Sequence, residues 1–265
     1  MRARHVFTGL IASILPGLAA GQEGSSDLAQ QLSNPVADLI SVPLQFNYDQ
    51  GLGADGNGWR TTTNLQPVLP FELTDNLNLI SRTIVPYIHQ EDVTGPGNVQ
   101  AGFGDVVQSL FFSPSTPTDN GWTWGAGTVF LIPTGSEDFS ADQWGVGPTA
   151  VALRQTGPWT YGALANHIWG IDPEESDDAI NATFLQPFAA YATSNAWTFT
   201  LNTEATYDWN TEQWSVPLNA IVSKVLTVGD QPVSLAAGAR YWAESPEGGP
   251  QDVGFRLVAT LIFPR

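Results

Sequence analysis

From Val42 to the C-terminus, apolar and polar side chains alternate along the chain. A period of two marks β-strands with two unlike faces. In the first such segment Val42, Leu44, Phe46 and Tyr48 share one face, with Gln45 and Asn47 on the other. The pattern predicts twelve strands: 42–48, 61–73, 77–90, 102–113, 122–133, 144–155, 159–169, 181–192, 197–208, 214–225, 232–242 and 254–263. The ninth is the clearest: Thr198, Thr200, Asn202, Glu204, Thr206 and Asp208 stand opposite Phe199, Leu201, Ala205 and Tyr207. Segments 77–90, 159–169 and 181–192 alternate poorly, which leaves their facing open. Pro43, Pro67, Pro70, Pro86, Pro187 and Pro217 fall inside proposed strands and predict bulges or short breaks, because proline donates no ladder hydrogen bond. Before the strands, Leu28, Leu32, Val36 and Leu39 share one side of an expected helix capped by Ser26 or Asp27, with Pro35 interrupting its second half.

These strands are long for a soluble sheet, whose strands peak at about 5–6 residues. They suit a tilted membrane strand of about 9–11 residues. All ten tryptophans sit at strand ends: Trp59, Trp122, Trp124, Trp144, Trp159, Trp197 and Trp214 at or near starts, Trp169, Trp209 and Trp242 at stops. Two aromatic girdles at the membrane interfaces would produce that placement, whereas a soluble core puts Trp mid-strand. Ordinary strand-end tryptophans covering a sandwich are the plain alternative. The connections alternate between long and short, as in a barrel with long outer loops and short periplasmic turns. The expected fold is therefore all-β: a transmembrane, antiparallel, up-and-down barrel of twelve strands with a short N-terminal periplasmic helix.

Composition agrees with this picture. Of 265 residues, 42% are hydrophobic and only 13% charged, with 26 acidic against 9 basic residues and no cysteine. The formal charge of −17, with Lys224 the sole lysine, argues against nucleic-acid binding. The absence of cysteine excludes a disulfide scaffold and thiolate metal sites. Most of the acidic residues fall in or beside the long connections, so the charge describes mainly one end of the molecule.

Residues 1–21 read as a secretory signal: Arg2 and Arg4, an apolar run from Val6 to Leu18, then Ala19-Ala20-Gly21, with cleavage expected before Gln22. A short N-terminal anchor is the alternative. Loss of Arg2 and Arg4 takes the formal charge from −17 to −19. Residues 22–40 would form a periplasmic segment or plug helix, and 41–265 the barrel.

The runs NPVADLISVPLQFNYD, LISRTIVP, GFGDVVQSLFFSP, GWTWGAGTVFLIPTG and GPWTYGALANHIW resemble a family of bacterial outer-membrane proteins. NATFLQPF, AWTFTLNTEATYDW, QWSVPLN and GARYWAESPEGGP extend the resemblance across about residues 28–265. The family is associated with genes of the phenol meta-cleavage pathway. Its members are labelled transporters, some under a misleading neuromedin U label. The resemblance implies a Gram-negative outer-membrane barrel that passes small aromatic or hydrophobic compounds, and it carries over no site residues. One departure is the C-terminus: such barrels usually end on an aromatic residue that serves assembly, but here Phe263 is followed by Pro264-Arg265.

Few residues offer chemistry. After the signal the histidines are His89 and His167. A nucleophilic triad would need a serine positioned by one of them. Where outer-membrane phospholipases carry a His and a Ser two residues apart on one strand face, this chain has Trp169 after His167. Gly102-Phe103-Gly104-Asp105 lacks the spacing and helix of a phosphate loop and reads as a bend. Asp172, Glu174, Glu175, Asp177 and Asp178 could attract Ca²⁺, although a solvated acidic loop is the plainer reading. Glu204, Asp208, Arg240 and Arg256 are assigned to the lumen face, with the two arginines as neighbours near the outer mouth and the two acids opposite them. Such a cluster is either a constriction that selects solutes or an ion-pair network that stiffens the barrel. The leading expectation is a passive channel for small molecules, not an enzyme and without a cofactor. Its partners would be outer-membrane lipid, lipopolysaccharide, the barrel-assembly machinery and a small solute. The alternatives are a lipid-modifying barrel, a structural or adhesive barrel whose acidic loops hold lipopolysaccharide through divalent cations, and a soluble secreted β-protein.

Overall fold

The computed structural model describes residues 17–171 and 179–265. The expected signal peptide lies largely outside them, as does the acidic run Asp172–Asp178. The chain opens with α1 (Gly17–Leu32). It continues through β1 (Ile40–Leu52), β2 (Gly58–Leu65 and Val68–Thr74), β3 (Leu77–Glu91), β4 (Val99–Phe103 and Val106–Pro114), β5 (Trp122–Ile132) and β6 (Trp144–Thr156). Then follow β7 (Trp159–Ile171), β8 (Asn181–Ala192), β9 (Trp197–Thr203 and Ala205–Asp208), β10 (Gln213–Val228), β11 (Gln231–Glu244) and β12 (Gln251–Phe263). Each strand pairs antiparallel with its sequence neighbours, and β12 pairs with β1 from Ile40↔Phe263 to Tyr48↔Phe255. The sheet therefore closes into a twelve-stranded up-and-down barrel without an edge, which satisfies every backbone ladder internally. No described helix is long and apolar enough to cross a membrane.

Leu44, Phe71, Phe112, Phe199, Leu201, Leu235 and Leu257 stand on the outer face, each 48–65% exposed, while their strand neighbours turn inward. Such an apolar exterior is the reverse of a soluble barrel.

The prolines behave less uniformly than the sequence implied. The chain leaves the ladder at Gln66-Pro67, and the β10–β11 register shifts between Val216 and Pro217. Pro43, Pro70, Pro86 and Pro187 stay in register opposite Thr260, Ile80, Asn64 and Ala163. A second interruption falls at Gly104-Asp105, where no proline stands. There the Asp105 carboxylate accepts from the backbone N–H of Gly135 (2.9 Å) and Ala141 (2.7 Å) and from the Ser140 hydroxyl (2.8 Å). The β5–β6 connection is thereby tied to the barrel wall.

The expected helix to Leu39 stops at Leu32 instead. Asn34 turns the chain, its side-chain oxygen accepting from the Val36 N–H at 3.0 Å, and Pro35 supplies no N–H to continue a helical ladder. Past that turn, Val36 inserts among Ile80, Phe111, Val151, Leu153 and Leu164, all inward-facing and at most 5% exposed. Leu39, Ala29, Ala196, Val225 and Ile262 form a second cluster beside Leu28 and Leu32. Gln30 exchanges hydrogen bonds with Gly157 and Gln155 at the β6–β7 turn (2.9 and 3.1 Å). The segment from α1 to β1 thus lies across the short-turn end of the barrel and fills part of its lumen.

Candidate functional site

Parity along the strands carries particular side chains into the lumen. On β11 Arg240 and Trp242 share the inner face; on β12 it is Arg256, on β1 Asn47 and Asp49, on β9 Asn202 and Glu204, on β10 Asn219. The register then sets Asn47 opposite Arg256 and Asn219 opposite both Arg240 and Asn202. Room for two guanidinium groups comes from glycine: Arg240 faces Gly254 and Gly238 faces Arg256 across the β11–β12 hairpin. A Cβ at Gly254 would stand 2.1 Å from the Tyr48 carbonyl oxygen and 2.8 Å from Asp49 Oδ1.

Glu204 is the hub. Arg256 donates Nη1 to Oε1 (2.8 Å) and Nη2 to Oε2 (2.7 Å), a two-pronged bond, and its Nε to Asn47 Oδ1 (2.7 Å). Arg240 donates Nη1 to Glu204 Oε2 (3.3 Å) and Nε to Asp49 Oδ1 (3.1 Å), which also accepts from Trp242 Nε1 (2.8 Å). Asn219 links Arg240 to Asn202. Arg240, Arg256, Asn47, Asp49 and Asn219 are each at most 6% exposed. Two-pronged, charge-assisted bonds fix geometry as well as energy, and every buried charge here is partnered. The belt extends around the wall. Arg60, opposite Asp49, donates to Gln90 (2.8 Å), Gln90 to Gln100 (2.7 Å), and Gln100 to Asp138 in the β5–β6 connection (2.8 Å).

Of the four lumen residues read from sequence, Glu204, Arg240 and Arg256 meet. Asp208 does not: its Oδ1 accepts from the N–H groups of Asn210 and Thr211 and closes the β9–β10 turn. An aspartate beginning a tight turn has its own backbone donors within reach, and they win. The acid beside Arg240 is Asp49, one residue past the expected segment 42–48, although it continues the parity of Gln45 and Asn47. Arg82, Gln66, Arg60 and Gln90 were also not read as site residues; the first and last sit on β3, whose alternation is weak.

Trp122, Trp124, Trp159 and Trp197 lie on the outer face at the short-turn end, with Trp59, Trp144, Trp169, Trp209 and Trp214 toward the long-loop end. Trp242 departs from the girdle. Sharing parity with Arg240, it turns inward, its ring 5.1 Å beneath the Arg240 guanidinium. Both histidines face outward. His89 stacks near Trp59 (5.2 Å), and His167 packs on Trp169 (4.2 Å) with Nδ1 2.7 Å from Thr183 Oγ1. Among the described residues no group of His, Asp and Glu side chains could hold a metal ion.

Between the charged belt and the N-terminal segment lies a cavity of about 300 Å³. One wall is polar, with Thr198, Thr200, Ser223, Ser234 and Thr260; Arg82 and Gln66 line another, and Leu32 and Leu39 lie on its floor.

No protein-family model matches this chain, and no curated protein matches it. Solved structures do. An outer membrane channel from Pseudomonas putida F1 superposes with a TM-score of 0.66 at 14% identity, over 85% of this chain and 96% of that one. The NanC porin superposes with a TM-score of 0.50 at 10% identity, over 85% of this chain and all of that one. At such identities the likeness concerns the fold, and the fold is that of an outer-membrane β-barrel.

Proposed function

We propose that this protein is an outer-membrane channel for the passive passage of small molecules, with its long acidic loops outside and both termini in the periplasm. The observation that carries this reading is the buried belt around Glu204 inside a closed barrel whose exterior is apolar. A barrel of twelve strands is wider than the eight-stranded type that side chains fill. Charged groups lining such a lumen select what passes. Arg60, Arg240 and Arg256 stand in the belt and Arg82 in the chamber beneath it, against Asp49, Glu204 and Asp138. That excess of positive charge favours anions over cations within a protein that is acidic overall. Small aromatic or hydrophobic solutes, implied by the sequence resemblance, fit the apolar part of the chamber at Phe188 and Val68. Bilayer recording in a salt gradient tests the reading: discrete conductance with anion preference is expected, and no conductance and no liposome swelling with any small solute refutes it.

A second reading, a lipid-modifying enzyme, draws on one observation. His167 is hydrogen-bonded to a hydroxyl on the outer face, and its Nε2 is buried without a partner among the described residues. Trp209 Nε1 also donates to that hydroxyl (2.8 Å). Phospholipid hydrolysis that disappears in His167→Ala would favour this reading over the channel.

A further inference from the structure

The Arg82 guanidinium on β3 lines the chamber, and its Nη2 donates to Gln66 Oε1 at 3.1 Å. Among the described residues no carboxylate lies within salt-bridge distance of it. Glu204, the acid whose charge it feels, is already spanned by Arg256 and Arg240. Inside a closed barrel a cation held only by a neutral amide favours an anion, and a guanidinium takes a carboxylate through two parallel bonds. Beside Arg82 and Gln66 the wall turns apolar, with Val68 and Phe188, and Leu32, Leu39 and Val225 continue that surface. The volume of about 300 Å³ lies at the small end of ligand sites, which run to about 1,000 Å³. Polar and apolar parts thus lie side by side in a space fit for a single-ring or short-chain molecule.

We infer that the chamber is a binding site for small monocarboxylates with an apolar body, the carboxylate on Arg82 and Gln66 and the body against Phe188 and Val68. The inference deepens the channel reading, on which it rests for the route by which the acid arrives. The N-terminal segment forms the chamber floor, so a bound acid pauses above it instead of passing straight through.

Calorimetric titration of the detergent-purified full chain tests this with benzoate, its neutral counterpart benzyl alcohol, and acetate, which lacks the body. Saturable benzoate binding is expected, with benzyl alcohol and acetate at least tenfold weaker. Arg82→Gln should reduce benzoate to the level of benzyl alcohol, in protein whose folding is checked by heat-shifted gel mobility. Phe188→Ala should weaken benzoate severalfold. Equal binding of benzoate and benzyl alcohol by the unmodified protein overturns the inference, as does undiminished benzoate binding by folded Arg82→Gln. A protein that conducts ions but does not prefer benzoate refutes this site alone. One that prefers benzoate but never conducts refutes the channel alone.

Discussion

Arg256 and Glu204 meet through two parallel hydrogen bonds of 2.8 and 2.7 Å, although 52 residues separate them along the chain. Arg256 is 2% exposed, and its remaining Nε is taken by Asn47. Burying such a pair is worth little by itself, because desolvation offsets the attraction, but removing one partner strands the other.

Glu204→Gln therefore leaves Arg240 and Arg256 without their shared carboxylate charge. A loss of about 3–5 kcal/mol is expected for breaking a buried pair. The heat-induced gel shift should move to lower temperature. In protein that remains folded, the reversal potential in a salt gradient should move further toward anions.

Arg256→Ala removes the other half and should move the reversal potential toward cations. Unchanged selectivity with a lowered unfolding temperature would instead assign the cluster to stiffening the barrel, and would count against a selective constriction.

The pairing was only partly legible in the sequence. Alternation, with turn residues between the segments, located the strands, and segment 144–155 matches β6 to within one residue, because side-chain parity is a local property. Parity also placed Glu204, Arg240 and Arg256 inside. The same parity carries Asp49 and Trp242 inward, but the alternating segment 42–48 stops one residue short of Asp49, and Trp242 shares the strand-end position of the outward tryptophans. Cross-strand register is not local, however. Which acid meets which arginine depends on barrel shear and on the glycines at 238 and 254, and neither leaves a mark in any one segment. Arg82 was lost because β3 carries apolar side chains on both faces: Ile80 at 0% exposure inside, Tyr87 at 44% outside. The helix end was lost because periodicity outlasted the helix: Val36 stays on the apolar stripe of Leu28 and Leu32, yet it reaches the lumen through a turn.

Gly254→Ala puts a methyl group 2.1 Å from the Tyr48 carbonyl oxygen, where backbone must move. Overpacking of this kind costs about 1–3 kcal/mol. Thermal unfolding should fall accordingly, and the adjoining Asp49–Arg240 contact should loosen. Gly157→Ala, on an open turn with nothing within 4 Å, should cost less despite its left-handed backbone.

Val36→Asp tests the N-terminal segment. Val36 is 5% exposed within a wholly apolar cluster, and a carboxylate there has no partner. The segment should leave its seat while the strands, held by their own ladders, stay closed. Single-channel conductance is expected to rise severalfold. Equal conductance in the variant and the unmodified protein would show that the segment is no barrier to flow.

The β1–β12 seam joins Ile40 to Phe263, the two ends of the ordered sheet. During biosynthesis the last strand made is thus the one needed to shelter the first, and until it arrives two raw ladders stand open. Residues 33–39 feed directly into β1, so the stretch that fills the lumen is tethered to one lip of that seam. Shutting the ring therefore fixes the root of the filler at the rim, whether or not its tip is seated. A chain that lacked β1 or β12 would be left as a curled, unsealed ribbon and not as a smaller barrel.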